Sequence, residues 1–168
     1  LNFQRRRRRF KIKELQTVAI NVGIVVGVVL VAFLLVFTFF NSVKMSGVSM
    51  QPTIEDKTTL LVNRGSYLFF KPKHNHVVAF ESLSNEQDTT YVKRIVGVPG
   101  DKIVIKNGRL YVNDEKYDDV ADTESITYKG LAESELILGD DEYFVLGDNR
   151  NNSEDSRSAN IGPVKLKD

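Results

Sequence analysis

Ser49, Lys93 and Ser153 stand in three short segments that read as neither ordinary strands nor ordinary turns. The first is Ser46-Gly47-Val48-Ser49-Met50-Gln51-Pro52-Thr53; the second runs from Tyr91 to Asp101 and the third from Gly147 to Arg157. The chain has no Cys. That excludes a thiol nucleophile, a thiolate zinc site and a disulfide framework. A nucleophile must then be Ser, Thr or a carboxylate, and a serine needs a base to take its proton. The two histidines, His74 and His76, sit in the polar link Lys71-Pro72-Lys73-His74-Asn75-His76. No third ligand accompanies them at metal-site spacing, so they read as surface residues, with no metal and no cofactor expected.

The other base for a serine is a neutral lysine. In the apolar run Tyr91–Val98, strand alternation puts Lys93, Ile95 and Gly97 on one face and Val92, Arg94 and Val96 on the other. If the first face is inward, burial disfavours the ammonium and lowers its pKa. Moving a lysine from about 10.4 to about 7–8 corresponds to roughly 3–5 kcal/mol, within reach of burial. Periodicity alone favours the plainer reading, a solvated strand lysine.

These residues need a scaffold, and the chain divides into three parts. Residues 1–14 form a basic tail with seven Lys or Arg and one Glu. Residues 15–43 contain no ionisable side chain, and in the core Val22–Phe40 only Thr38 is polar. Those 19 residues span about 28 Å as a helix, close to a hydrocarbon core of about 30 Å. Val is a weak helix former in water, but lipid offers the backbone no other partner. The run is longer than a cleavable signal's apolar region, and no small-residue cleavage pattern follows it. It therefore reads as an uncleaved signal-anchor. Arg5–Arg9 would stay cytoplasmic beside it, attracted to anionic headgroups. Residues 44–168 would then be extracytoplasmic. With 16 basic and 21 acidic residues, that part is a poor nucleic-acid binder.

Residues 44–168 read as antiparallel β. Thr58–Asn63, Val77–Glu81, Thr90–Val98, Lys102–Lys106, Arg109–Asn113 and Glu142–Leu146 are short runs rich in Val, Ile, Tyr and Phe. Asn107-Gly108 predicts a tight hairpin between two of them. No helical apolar period appears after residue 43. Asp114–Glu124 and Glu133–Asp141 read as solvated acidic connections.

Taken together, the three segments resemble the boxes of type I signal peptidases, the bacterial leader peptidase family, in a short form like that of Gram-positive bacteria. The pattern S-M-x-P-T is matched by Ser49–Thr53, K-R-[ILV]-x-G-x-P-G-D by Lys93–Asp101, and G-D-N-R-x-x-S-x-D-S-R by Gly147–Arg157. The order and the single N-terminal anchor also agree, and the resemblance covers about residues 15–165. It implies an antiparallel β catalytic domain with a small β cap region behind one transmembrane helix. It implies a Ser/Lys endopeptidase that cleaves signal peptides of exported preproteins at Ala-x-Ala sites, at the membrane and near the translocation channel.

By the resemblance Ser49 is the nucleophile and Lys93 the general base. Ser153 orients the lysine, Asp155 and Arg157 form a supporting polar pair, and Asp148 lies in the same box. A carboxylate in place of Ser153 would raise the lysine pKa and keep it charged. The Ser49 N–H is the natural oxyanion donor, and Met50 and Pro52 are expected near substrate or lipid. At most about 30 Å of extended chain separates Phe40 from Ser49, which tethers the serine near the outer leaflet. Some relatives carry a hydroxyl two residues before the nucleophile; here that position is Gly47. The family's R-G-D-I-V-V-F-like stretch is replaced by His74–Phe80. The leucine start reads as a non-standard initiation codon and the end at Asp168 as a truncation. The competing reading is an anchored, non-catalytic β module that binds another protein; a sortase-type transpeptidase would need a Cys.

Overall fold

The computed structural model describes residues 3–81, 89–118 and 124–166, with side chains from Lys13 onward. The side chains of the basic block Arg5–Arg9, and residues 119–123 of the first acidic connection, lie outside the described residues. The chain forms two compact units, residues 1–41 and 42–168. The first is one helix, α1 (Phe3–Phe39). Its stretch Lys13–Phe39 is long and apolar enough to cross a membrane, and none of its apolar window is buried within the structure; a helix apolar all round needs a core or a bilayer to cover it. The helix stops at Phe39, short of the boundary at 43 expected from composition. Residues Phe40–Lys44 are strand β1, because Val43 packs into a small core with Met45 and Met50.

The second unit is built of antiparallel β-structure. β1 pairs with β2 (Thr59–Asn63) in a two-stranded ribbon. A one-turn helix α2 (Ser66–Phe69) follows. Then come β3 (Val77–Glu81), β4 (Thr90–Gly97), β5 (Lys102–Lys106), β6 (Arg109–Val112) and β7 (Glu115–Lys116). After a 3-10 turn at Gly130–Glu133 come β8 (Leu136–Ile137), β9 (Glu142–Leu146) and β10 (Val164–Lys165). One sheet has the order β10-β9-β4-β3 and the other β7-β6-β5-β8.

The expected β5–β6 hairpin forms around Asn107 and Gly108, whose φ angles of 51° and 71° are both left-handed, as its turn type requires. A second such turn, Asn113-Asp114, joins β6 to β7, where composition suggested a solvated connection. The other acidic connection is likewise not all loop. Leu136 and Ile137 pair with β5, and Leu138 is buried.

Three apolar clusters hold the unit together. Val96, Ile103, Ile105, Leu110, Phe144 and Leu146 pack between the two four-stranded sheets. Phe80, Ile95, Tyr143, Val145 and Val164 cover the other face of β4 and β9. Val92 reaches Met45 and Met50 beside the ribbon. Residues 92–97 of β4 are therefore buried on both faces, where a half-solvated strand was the plainer expectation for Lys93. A bulge between Ile95 and Gly97 shifts the register against β9. An added Cβ at Gly97 would lie 2.7 Å from Ile103 Cδ1, so the two sheets leave no room for a side chain there.

Asp101 fixes the turn after β4. Its carboxylate accepts from the Val98 N–H at 2.8 Å, from Asn113 Nδ2 at 2.8 Å and from His74 Nε2 at 2.7 Å. Burial pushes this carboxyl up, but those donors outweigh it and carry its pKa below the usual range. A depressed carboxylate stabilises the fold above its unfolded pKa, and the contribution disappears as pH falls through the folded value. Asp101→Asn should therefore lower stability by about 1–3 kcal/mol at neutral pH. Thermal unfolding of the detergent-solubilised chain should show this difference shrinking as the solution is acidified.

Candidate active site

β4 presents two cations on opposite faces. Lys93 is 3% exposed and Arg94 6%. The Arg94 guanidinium forms a fork with Asp148, Nε to Oδ1 at 2.8 Å and Nη2 to Oδ2 at 2.7 Å, and also donates to the Asn75 carbonyl. Lys93 has no carboxylate within salt-bridge distance among the described residues. Its Nζ donates to Ser49 Oγ at 2.7 Å and lies 5.7 Å from the Tyr91 ring centroid. Desolvation pushes the Lys93 pKa down, while the more distant negative charges of Asp155 and Glu154 pull it back up.

Ser49 is half-buried in a turn in which the Gln51 N–H donates to the Val48 carbonyl. Two clamps set that turn. Asn149 donates its backbone N–H to the Ser49 carbonyl at 3.0 Å and its Nδ2 to the Val48 carbonyl at 3.2 Å. On the other side, the Gly47 N–H donates to Asp56 Oδ1 at 2.8 Å. Gly47 has φ +88°, a conformation in which a side chain is strained. The Ser49 N–H has no hydrogen-bond partner among the described residues.

The third segment is a loop braced from within. Asp155 and Arg157 are fully buried and joined by two bonds, Nε to Oδ1 at 2.7 Å and Nη2 to Oδ2 at 2.8 Å. Asp155 also accepts from the Gly147 N–H. Arg157 donates to the carbonyls of Tyr128 and Arg150. Removing one partner of such a buried pair typically costs about 3–5 kcal/mol. Gly147 lies where loop and nucleophile turn meet. A Cβ there would be 2.2 Å from Ser153 Oγ and 2.5 Å from the Ser49 carbonyl oxygen.

The structure thus brings Ser49, Lys93 and the 147–157 loop together. Two expected placements need correction. Ser153 Oγ is buried with no hydrogen-bond partner among the described residues. It packs over the α-carbon of Gly147 and does not bond Lys93. Met50 is fully buried with Met45 and Val92, where its apolar side chain fills the core instead of standing exposed. Pro52 is exposed. His74 and His76 are engaged by Asp101 and Tyr67. Arg94, Asn149 and Gly147 were not singled out from the sequence. The usable signal was charge: Arg94 in one segment and Asp148 in another need partners once both are buried.

The profile described as "Signal peptidase, peptidase S26" matches residues 18–168. A signal peptidase I from Bacillus amyloliquefaciens is 34% identical over 143 residues, covering 81% of this chain and 75% of the relative. A signal peptidase I P from Bacillus subtilis subsp. natto is 37% identical over 153 residues, covering 83% and 80%. A crystal structure of a signal peptidase I from Enterococcus faecalis aligns with TM-score 0.48 and 29% identity over 58% of this chain and 92% of that one. The family match and the two Bacillus relatives define the class as a peptidase, a hydrolase of peptide bonds. The chain belongs to the signal peptidase, peptidase S26, family.

A buried lysine without a carboxylate partner opposes folding. Because its folded pKa is depressed, wild-type stability rises with pH between that value and the unfolded value of about 10.4. Lys93→Met, of similar volume, should be more stable than wild type in thermal unfolding. The gain should narrow as pH rises through that window.

Proposed function

We propose that this chain removes signal peptides from exported preproteins as a membrane-anchored serine endopeptidase, with Ser49 as nucleophile and Lys93 as general base. The contact of 2.7 Å between Lys93 Nζ and Ser49 Oγ, inside a site that lowers the lysine pKa, carries the reading. The relatives named signal peptidase I supply the substrate class, and cleavage after Ala-x-Ala is proposed by that kinship. The helix Lys13–Phe39 is assigned as the membrane anchor, with the basic tail cytoplasmic and the β unit outside. Work near the translocation channel follows, since signal peptides emerge there.

In this mechanism the neutral amine of Lys93 accepts the Ser49 hydroxyl proton as Oγ attacks the scissile carbonyl carbon. The Ser49 N–H donates to the oxyanion of the tetrahedral intermediate. The C–N bond then breaks, the Lys93 ammonium protonates the leaving amine, and an acyl-serine remains. Water attacks that ester, Lys93 takes the water's proton, and its return to Oγ releases the signal peptide's carboxyl end. Arg94–Asp148 and Asp155–Arg157 hold the loop against the nucleophile turn, and Ser153 and Asn149 support it. Pro52 lies on the exposed side of the turn.

The test is incubation of the full chain with a preprotein carrying an Ala-x-Ala site. Ser49→Ala and Lys93→Ala should each lose several orders of magnitude in turnover. Unchanged cleavage in both would instead support a non-catalytic binding module. Activity should rise with pH as Lys93 loses its proton. Glu154→Gln removes a charge that holds the lysine pKa up, so the rise should move to lower pH.

A further inference from the structure

Asn151 stands at an open position of the third box pattern, and it is exposed. An exposed asparagine on a loop ordinarily bonds water. This one turns its amide onto residues 124–127, distant in sequence. Its Oδ1 accepts from the Thr127 N–H at 3.0 Å and from Thr127 Oγ1 at 2.9 Å. Its Nδ2 donates to the Ser125 carbonyl at 3.1 Å and to Glu124 Oε2 at 3.3 Å. A backbone N–H can only donate and a carbonyl can only accept, so one orientation of the amide fits. Two donated and two accepted bonds are the full capacity of such a side chain. Neither Asp nor Leu, of similar shape, offers both.

The segment that Asn151 holds is itself rooted. Ile126 is buried in the core between the two four-stranded sheets, and its N–H donates to the Gly108 carbonyl at 2.9 Å. Further along, the Tyr128 carbonyl accepts from Arg157 Nη1 at 3.0 Å and the Leu131 N–H donates to the Arg157 carbonyl at 2.9 Å. A Cβ at Gly130 would collide with that carbonyl. Residues 124–131 thus meet the 147–157 loop at two places, Asn151 and Arg157.

A single turn separates the first of these from the nucleophile. The Asn152 N–H donates to the Asn149 carbonyl at 3.0 Å, the bond that closes a four-residue turn. Asn152 Nδ2 adds a bond to Asn149 Oδ1 at 3.3 Å. Asn149 opens that turn and holds the carbonyls of Val48 and Ser49; Asn151, its third residue, holds residues 124–127. A displacement at Asn151 is therefore passed to Ser49 through a hydrogen-bonded turn. Misplacing a reacting group by about 1 Å can cost about a hundredfold in rate.

We propose that Asn151 is a positioning residue: it latches the Asn149–Asn152 turn to residues 124–127 and, through Asn149, sets the place of Ser49. The proposal deepens the peptidase reading above and rests on it for the effect on turnover.

Asn151→Ala and Thr127→Val are made in the full chain, solubilised in detergent, with Lys129→Gln in the same segment as control. Steady-state cleavage of a preprotein carrying an Ala-x-Ala site is measured beside amide hydrogen exchange. Asn151→Ala should lower kcat by about tenfold or more with KM unchanged. The Asn149 N–H, which bonds the Ser49 carbonyl, should exchange about tenfold faster while the β5 amides keep their protection. Thr127→Val removes one bond and should show a smaller change in both readouts, reversed in Thr127→Ser, which keeps the hydroxyl. Asn151→Asp keeps the shape but sets a carboxylate against Glu124 and the Ser125 carbonyl, so it should behave like Asn151→Ala. Lys129→Gln should change neither readout. Wild-type kcat and wild-type Asn149 exchange in Asn151→Ala overturn the proposal. A change in KM alone makes Asn151 a substrate contact and overturns it. A loss of protection as large in β5 as at Asn149 makes it a general stabiliser and also overturns it. Should Asn151→Ala fail to fold, Thr127→Val decides by the same criteria. A wild-type chain that cleaves no preprotein overturns the peptidase reading; faster Asn149 exchange in Asn151→Ala then still upholds the latch, and unchanged exchange overturns it.

Discussion

An ammonium taken out of water without a counter-ion is the condition on which this structure turns. Lys93 is placed in a strand buried on both faces and given a serine hydroxyl as its closest partner. Burial disfavours its charged form. Its neighbour Arg94, on the other face, is equally buried but paired in a fork with Asp148. The two side chains differ in what they can yield. A guanidinium stays charged in proteins, so it must be matched; a lysine can give up its proton. One strand thus holds a fixed structural charge and a titratable amine at consecutive positions.

The rest of the unit keeps that amine and hydroxyl in register. Both ion pairs bear on the 147–157 loop: Asp148 is anchored through Arg94, and Asp155 holds the Gly147 N–H while Arg157 ties down Tyr128 and Arg150. Between those anchors Asn149 grips the consecutive carbonyls of Val48 and Ser49. The loop therefore acts on the serine through backbone atoms. This explains the requirement at Gly147, where any Cβ would press on the Ser49 carbonyl. Asp155 stabilises the loop but also pulls the Lys93 pKa back toward its ordinary value. Its pairing with Arg157 spends much of that charge elsewhere.

Much of the architecture was legible in the sequence. The Asn107-Gly108 hairpin and the runs Val77–Glu81, Lys102–Lys106 and Glu142–Leu146 could be read because enrichment in β-branched and aromatic residues and turn chemistry are local properties. Strands β7, β8 and β10, of two residues each, carry no pattern of their own; their pairing partners define them. β1 was hidden inside the apolar run that precedes it. At the site, residue types and order identified Ser49 and Lys93 as candidates, but not the burial of both faces of β4. That depends on a second sheet closing over Val96 and on the ribbon over Val92. Met50 and Ser153 were misplaced for the same reason: a side chain's direction within a turn is set by tertiary packing, and spacing does not encode it.

The most direct test of the central claim is a titration of the Lys93 amine itself. The full chain, labelled at lysine side chains and solubilised in detergent, would be followed by NMR across the alkaline range, with Lys93→Met assigning the resonance. The account predicts that this one amine loses its proton well below the other lysines, over the same pH range in which activity appears. An amine that stays charged up to the ordinary lysine value, while the enzyme is already active, would contradict it.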